Sequence, residues 1–197
     1  MNNDRNTNCT DVAIKNDKKS MQKHLIYSLI CIAIALISFF AISKWATSAD
    51  TYSRIINTLN ELQKKALELA KLGIGAVNPN PLVGCIIVKN NKIIGQGYHM
   101  EYGQAHAEVN AINSAKEDIK DSTVYVTLEP CSHFGKTPPC ADNLIRHKVK
   151  RVVICNTDPN PLVAGGGIKK LRESGIEVTT GILKEEGLKL NEVFFHY

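Results

Sequence analysis

Two cysteines in the stretch EPCSHFGKTPPC, residues 129–140, could do chemistry, because each directly follows a proline. Cys131 and Cys140 could form a disulfide, bind a metal or occur together by coincidence. A third candidate ligand is His106, in the sequence HAE at the start of a predicted helix. One imidazole and two thiolates leave a fourth tetrahedral position open, which is typical of a catalytic rather than a structural zinc ion. The residue types therefore favour a zinc site.

Glu108 lies two residues after His106, so inside a helix the two side chains would point about 200° apart. Both can serve one site only if that site lies beyond the helix N-terminus, where the helix dipole also stabilises thiolates and hydroxide. Zinc lowers the pKa of bound water to about 7, and a nearby carboxylate can carry a proton to a leaving amine. H-x-E followed by P-C and a second cysteine is the general signature of zinc nucleobase deaminases. Each piece alone is common, but their order and setting together predict this chemistry.

The spacing of the two cysteines departs from the common P-C-x-x-C pattern, because eight residues separate them here. The intervening SHFGKTPP segment is expected to hold His133 and Lys136 close to the metal. These side chains would offer polar and cationic contacts to a substrate, which favours a phosphorylated one. A solvated loop lysine is the alternative interpretation of Lys136 alone.

The elements that must position these residues alternate between strand and helix. Helical patterns cover residues 51–73, 105–116, 141–148 and 167–175, with a short helix from Lys184. Strand patterns cover residues 82–88, 92–99, 122–129, 149–155 and 176–183. The turn at Asn90–Asn91 makes the first two strands a hairpin. We therefore predict an α/β domain with helices on both faces of a mixed sheet.

The remaining cysteines argue against a disulfide-stabilised domain, and the charge distribution argues against a nucleic-acid-binding protein. Cys85 and Cys155 lie inside apolar runs and are predicted to be buried free thiols, because a chain of this length can build a core without disulfides. Residues 50–197 carry eighteen Lys/Arg and sixteen Asp/Glu. This nearly neutral body lacks the basic stripe of a nucleic-acid-binding protein.

The first fifty residues have a different composition from the rest of the chain. Residues 1–24 are polar and predict a disordered tail. Residues 25–42, LIYSLICIAIALISFFAI, carry no charge and would span about 27 Å as a helix. With Trp45 at the interface, residues 25–45 are predicted to be a transmembrane helix. A secretory signal is the alternative, and the lysines before the span favour a cytoplasmic N-terminus.

From about residue 60 onward, the chain resembles the deaminase domain of the bacterial riboflavin-biosynthesis deaminase/reductase family, which has the cytidine-deaminase-like fold. The resemblance covers about 140 of the 197 residues, and the eight-residue cysteine spacing is specific to that family. The matching stretches are ALELAKLGIG, NPNPLVGCIIV, IIGQGYH, GQAHAEVNAI, YVTLEPCSHFGKTPPC, DPNPLVAGGGIKKLRESGIEV and LNEVF.

The resemblance implies a three-layer α/β/α domain over residues 50–197. It also implies hydrolytic removal of the 2-amino group from 2,5-diamino-6-ribosylamino-4(3H)-pyrimidinone 5′-phosphate, giving the uracil and ammonia. By the same resemblance His106, Cys131 and Cys140 would bind zinc, and Glu108 would carry protons. The residues that would contact substrate are Asn80, His99, His133, Lys136 and, as weaker candidates, Asp158 and Asn160.

The chain also departs from the resembling family. That family continues into a reductase domain where this sequence ends in NEVFFHY, so we expect deamination alone, with a reductase on a separate chain or missing. Gly166 stands where relatives usually have a basic residue, and the N-terminal anchor is foreign to the family. A phosphorylated intracellular substrate and free thiolates favour a catalytic domain in the cytoplasm, against the charge bias noted above. A homo-oligomer is also expected.

Two alternatives stay open at this point. A nucleotide or tRNA deaminase of the same superfamily would predict the P-C-x-x-C spacing and, for nucleic acid, a basic face. A non-catalytic, membrane-anchored zinc-binding relative would predict damage at Glu108 or at the three ligands. An ammonia-release assay separates these alternatives.

Overall fold

A computed structural model describes residues 7–133, 138–160 and 164–195 of the chain. The chain divides into two compact units, residues 1–54 and 55–197. The helices are α1 Thr7–Ala70, α2 Ala107–Asn113, α3 Cys140–Arg146, α4 Gly166–Glu173, α5 Lys184–Leu190 and α6 Glu192–Phe195. A 3-10 turn, Lys71–Gly73, follows α1. The strands are β1 Gly84–Lys89, β2 Lys92–Tyr98, β3 Thr123–Leu128, β4 Arg151–Asn156 and β5 Glu177–Thr180.

Helix α1 begins much earlier than the helix predicted over residues 51–73. The composition of residues 1–24 predicted disorder, yet the chain is helical from Thr7 in the structure. The physical reason is that no glycine or proline interrupts the sequence between Thr7 and Ala70. Within the described residues, one stretch of this helix is long and apolar enough to cross a membrane by length and composition. Two large side chains in its apolar part, Phe39 and Phe40, are 68% and 69% exposed.

The five strands form one mixed sheet in the order β2-β1-β3-β4-β5. β1 pairs antiparallel with both β2 and β3, while β3, β4 and β5 run parallel. Asn90 and Asn91 have φ values of 49° and 60°, which is the conformation that a two-residue hairpin requires. The prediction of a mixed sheet opened by a hairpin is therefore confirmed.

Helices cover both faces of the sheet, as predicted for a three-layer domain. On one face α2, α3 and α4 contribute Ala111, Leu144 and Leu171 to a buried cluster with β-strand residues. On the other face Leu59 and Ala66 of α1 pack against Ile86, Tyr125 and Val153. α1 can approach β1 this closely because residue 84 is glycine: a Cβ there would lie 2.0 Å from the Ala66 carbonyl oxygen.

The ends of several elements differ from the predicted ends for identifiable reasons. α2 was predicted to run to residue 116 but ends at Asn113, where the Ser114 hydroxyl bonds to both backbone groups of Gln96 on β2. β5 was predicted to reach residue 183 but ends at Thr180. Gly181 and Leu183 have φ values of 86° and 56°, which take the chain out of the extended conformation.

The topology brings the loops of interest to one edge of the sheet. β3 and β4 are parallel, so the segments that follow Leu128 and Asn156 leave the same edge. β1 is antiparallel to β3, so the segment before Gly84 lies at that edge too, together with the end of β2 paired to it. Open α/β sheets bind ligands at the carboxyl ends of such parallel strands.

Candidate metal centre and active site

Three predicted metal ligands meet at this edge of the sheet. Nδ1 of His106 lies 3.3 Å from Sγ of Cys140 and 3.6 Å from Sγ of Cys131. The three ligand atoms all lie within 4.8 Å of one another. The two cysteines therefore share one location with the histidine, although an eight-residue loop separates them in the sequence.

The donor geometry fits a zinc ion. Zn–S bonds of about 2.3 Å and Zn–N bonds of about 2.05 Å, at tetrahedral angles, place a nitrogen and a sulfur about 3.6 Å apart. The two observed nitrogen–sulfur distances, 3.6 and 3.3 Å, agree with that separation. Two thiolates and one imidazole are also the donors that zinc prefers, with a fourth position left for water or substrate.

Short helices and a strand end fix the three ligands. His106 is the N-cap of α2 and has an extended backbone conformation. Cys131 is the third residue after the end of β3, and Cys140 is the first residue of α3. The backbone amide of Cys140 donates to Sγ of Cys131 at 3.3 Å. The first amide of α3 thus directs one metal-ligand sulfur.

The two thiols hold their protons very differently. The pKa of Cys131 is lowered to about 4, first by the hydrogen bond from the Cys140 thiol and then by His106. The pKa of Cys140 is raised, first by the hydrogen bond that its thiol donates to the Cys131 sulfur and then by burial. The Cys131 sulfur also raises the pKa of His106. The pair thus shares a proton that a divalent cation would displace.

Glu108 lies in the first turn of α2 and reaches the same cluster. This agrees with the prediction that His106 and Glu108 share a site beyond the N-terminus of the helix. Its side chain is 3% exposed. Burial, followed by the charge of Cys131, raises its pKa to about 7. The carboxyl group also interacts with the Cys140 thiol. A buried carboxyl group beside two sulfurs and an imidazole is suited to proton transfer at neutral pH.

His99 and Asn80 extend the site from the metal cluster toward solvent. The ring of His99 packs edge-on against His106 with centroids 5.6 Å apart. Nδ1 of His99 lies 3.1 Å from the Ala105 carbonyl oxygen, so this nitrogen must carry the proton. In the neutral ring, Nε2 then accepts from the Asn80 amide nitrogen, 3.0 Å away. His99 is 3% exposed, and burial lowers its pKa, which favours that neutral ring.

The other predicted contact residues are distributed around the site. His133 is exposed at the start of the loop between the two cysteines, and Lys136 lies outside the described residues. Asn160 lines, together with Asn80, a cavity of about 1070 Å³. The backbone amide of Asn160 donates to the Asp158 carboxylate at 2.9 Å. The substrate roles of these residues stay predictions.

Two buried residues near the site were missed in the sequence. Glu129, 6% exposed, accepts hydrogen bonds from the loop that carries Asp158. Asn191, also 6% exposed, donates to and accepts from the backbone of Leu82, two residues after Asn80. The signal for Glu129 was a charged residue between a buried strand and Pro130. Asn191 gave no comparable signal.

Comparison with known proteins defines the class. Residues 56–156 match the family described as the cytidine and deoxycytidylate deaminase zinc-binding region. The chain belongs to this family, whose zinc-binding character agrees with the His/Cys/Cys cluster.

Particular relatives are similar over most of this chain. It is 54% identical over 147 residues to the riboflavin biosynthesis protein RibD of Actinobacillus pleuropneumoniae, covering 74% of this chain and 39% of that protein. It is 53% identical over 131 residues to the diaminohydroxyphosphoribosylamino-pyrimidine deaminase of Buchnera aphidicola subsp. Schizaphis graminum, covering 66% of this chain and 89% of that protein. This chain therefore spans about two fifths of the first relative and most of the second.

A solved structure supports the fold. The Thermotoga maritima diaminohydroxyphosphoribosylaminopyrimidine deaminase/5-amino-6-(5-phosphoribosylamino)uracil reductase matches with a TM-score of 0.69 and 50% identity. The match covers 72% of this chain and 41% of that one. The mixed five-stranded sheet with its helices is thus the cytidine-deaminase-like fold, as the sequence predicted.

Proposed function

We propose that this protein hydrolyses the 2-amino group of 2,5-diamino-6-ribosylamino-4(3H)-pyrimidinone 5′-phosphate, with release of ammonia. The observation that carries the proposal is the convergence of His106, Cys131 and Cys140 beside the buried carboxyl group of Glu108. This substrate is supported by the 53% sequence identity, over 131 residues, to a protein named as the corresponding pyrimidine deaminase.

The chain's own residues divide the chemistry among them. His106, Cys131 and Cys140 would hold the zinc ion, which when bound supplies a Lewis acid and a water-derived nucleophile near neutral pH. Glu108 accepts a proton from the attacking water and returns it to the leaving amine. Because Glu108 is buried, its proton transfers are shielded from bulk solvent. No redox cofactor is needed, since water replaces an amino group.

Substrate orientation falls to the residues around the cluster. The side-chain amide nitrogen of Asn80 donates a hydrogen bond to His99. Its amide oxygen would therefore be presented to a hydrogen-bond donor on the pyrimidine ring. Asp158 and Asn160 lie on the loop after β4, and His133 and Lys136 on the loop between the cysteines. The basic side chains of that second loop suit the 5′-phosphate.

The test is ammonia release by the zinc-loaded full-length chain. The pathway pyrimidine, cytidine, deoxycytidylate and an adenosine-containing tRNA stem-loop are compared at equal concentration. The proposal expects turnover of the pathway pyrimidine at least about 10²-fold above that of the other three. Preference for cytidine, deoxycytidylate or the tRNA would assign another deaminase activity. Zinc binding without turnover of any substrate would indicate a non-catalytic relative.

We also propose that residues 25–42 anchor the protein in a membrane, with the catalytic domain in the cytoplasm. The most apolar 18-residue window of α1 has a mean hydropathy of 2.2, and none of it is buried. An exposed apolar helix of that length matches the thickness of a bilayer core. The protein should stay in the membrane pellet after alkaline carbonate washing, and protease added to intact cells should spare the catalytic domain. Carbonate extraction or external cleavage would contradict these proposals.

Two partners complete the proposal. A reductase activity would consume the product, because the Thermotoga maritima relative is named as both deaminase and reductase. A second copy of this chain would form a homo-oligomer. Light scattering of the purified protein tests the second partner: a mass equal to one chain plus its detergent would exclude a homo-oligomer.

A further inference from the structure

Glu129 is a buried charged side chain for which the reaction assigns no role. It is 6% exposed and lies between the end of β3 and the Pro130–Cys131 pair. A buried carboxylate is costly unless hydrogen bonds compensate its charge. The partners of this carboxylate therefore show what it does.

Four backbone amides donate to the Glu129 carboxylate. Oε1 accepts from Gly167 at 2.9 Å and from Ile168 at 3.2 Å. Oε2 accepts from Gly165 at 2.9 Å and from Asp158 at 3.2 Å. Three of the donors lie at the N-terminus of α4, where free amides and the helix dipole favour an anion. The chain thus supplies its own anion to this helix.

The glycines of the AGGGI segment permit this close approach. Gly165 has a φ of 77°, which a side chain would strain. A Cβ on Gly167 would lie 2.0 Å from the Pro130 carbonyl oxygen and 3.3 Å from Oε1 of Glu129. The start of α4 therefore packs directly on the backbone that leads to the metal ligand Cys131.

The same carboxylate reaches the predicted substrate loop. Asp158, held through its amide, accepts from the amide of Asn160 at 2.9 Å. The carbonyl oxygen of Asn160 then accepts from the amide of Ala164 at 2.8 Å, next to Gly165. The amides of Asp158 and Gly165, on the two sides of this loop, therefore both donate to Oε2 of one side chain.

We propose that Glu129 is a positioning residue that fixes Asp158 and Asn160 relative to the metal ligand Cys131, and so sets substrate affinity. This inference rests on the proposed deaminase function for its kinetic consequence. Its structural part, the clamping of the segments 157–160 and 164–168 by one carboxylate, stands independently of the substrate.

The kinetic test compares Glu129→Gln with wild type as zinc-loaded, full-length protein. The amide of glutamine offers one acceptor and places an NH2 group against donors, so the loop loses part of its support. We expect KM for the pathway pyrimidine to rise about 10-fold, kcat to change less than about 3-fold and zinc content to stay the same. Glu117→Gln, at an exposed position, is the charge-matched control and should leave all three unchanged.

The structural test is amide hydrogen exchange followed by NMR on the same proteins. Exchange at Asp158, Gly165, Gly167 and Ile168 should accelerate at least about 10-fold in Glu129→Gln, while the amides of β3 and β4 keep their protection. Unchanged exchange at those four amides would overturn the clamp. Faster exchange throughout the sheet, or loss of zinc, would show a general structural role and overturn the positioning role.

The two tests separate this inference from the proposed function. If the wild-type protein fails to turn over the pathway pyrimidine, the function is wrong, yet the exchange experiment still decides whether Glu129 clamps the loop. If the wild type is active and the four amides accelerate while KM stays within 2-fold, the clamp exists but the effect on substrate affinity is wrong. A second variant, Gly167→Ala, disturbs the same junction from the helix side and should raise KM similarly.

Discussion

Sγ of Cys140 lies 3.3 Å from Nδ1 of His106, although 34 positions separate the two residues in the sequence. One residue begins α3 and the other caps α2. Both helices pack on the same face of the sheet, so the first turns of two separate helices converge at one point. Neither helix carries a metal site alone, and the sheet edge is what brings the two together.

Removal of a cysteine ligand should abolish stable zinc binding. Cys131→Ala leaves two of the three donors, and we expect zinc occupancy after dialysis against a weak chelator to fall at least about tenfold. Inductively coupled plasma mass spectrometry measures this occupancy. The matched control is Cys155→Ser, because Cys155 is a buried thiol outside the cluster. Full zinc retention by Cys131→Ala would mean that the metal lies elsewhere.

Asn191 should stabilise the loop that contains Asn80. Its side chain makes two hydrogen bonds with the backbone of Leu82, of 2.7 and 2.9 Å. Asn191→Ala leaves a partly buried amide and carbonyl unpaired, so we expect a loss of about 1–3 kcal/mol in unfolding free energy. Urea unfolding monitored by circular dichroism gives the value. Asn57→Ala, on the exposed surface of α1, should change it by less than about 0.5 kcal/mol, and an equal loss in both variants would refute the role of Asn191.

Cys155 should reduce stability at alkaline pH. Burial raises its pKa to about 12, whereas an unfolded cysteine has a pKa of about 8.5. Between these values the unfolded chain has lost a proton that the native protein retains, so the unfolding free energy falls as pH rises. The stabilising contribution is complete below about pH 8.5 and is lost on approach to about pH 12.

The corresponding measurement is the melting temperature from pH 8 to pH 10.5. Cys155→Ser cannot titrate in this range, and its hydroxyl can still donate to the Leu183 carbonyl oxygen, which the thiol contacts at 3.0 Å. We expect its melting temperature to fall less steeply with pH than that of wild type. Parallel curves would show that Cys155 does not titrate on unfolding.

The short-range features of the fold could be predicted from the sequence. Asn90 and Asn91 fixed the hairpin, and alternating strands and helices indicated the mixed sheet. Residue type and order were enough to predict the metal cluster. An imidazole, two thiolates and a nearby carboxyl group have few other uses in that combination. The prediction that Cys85 and Cys155 are buried free thiols is also confirmed.

Features that depend on tertiary contact could not be predicted. Ser114 ends α2 by bonding to Gln96 on a neighbouring strand, and nothing in the local helical pattern reports that contact. Asn191 contacts Leu82 across 109 positions. In the sequence, Glu129 is recognisable only as a charged residue at the end of a strand. Its role depends on backbone amides near the start of a helix that begins at Gly166. Long-range hydrogen bonds of this kind leave no periodic trace in the sequence.

Glu108 is proposed to carry protons beside a zinc ion held by His106, Cys131 and Cys140. The most direct test measures zinc content and ammonia release together for Glu108→Gln, with Glu177→Gln, an exposed residue on β5, as the control. We predict that Glu108→Gln keeps about one zinc ion per chain and loses turnover at least about 10²-fold, while the control matches wild type in both. Turnover close to wild type, or loss of zinc from Glu108→Gln alone, would contradict the account.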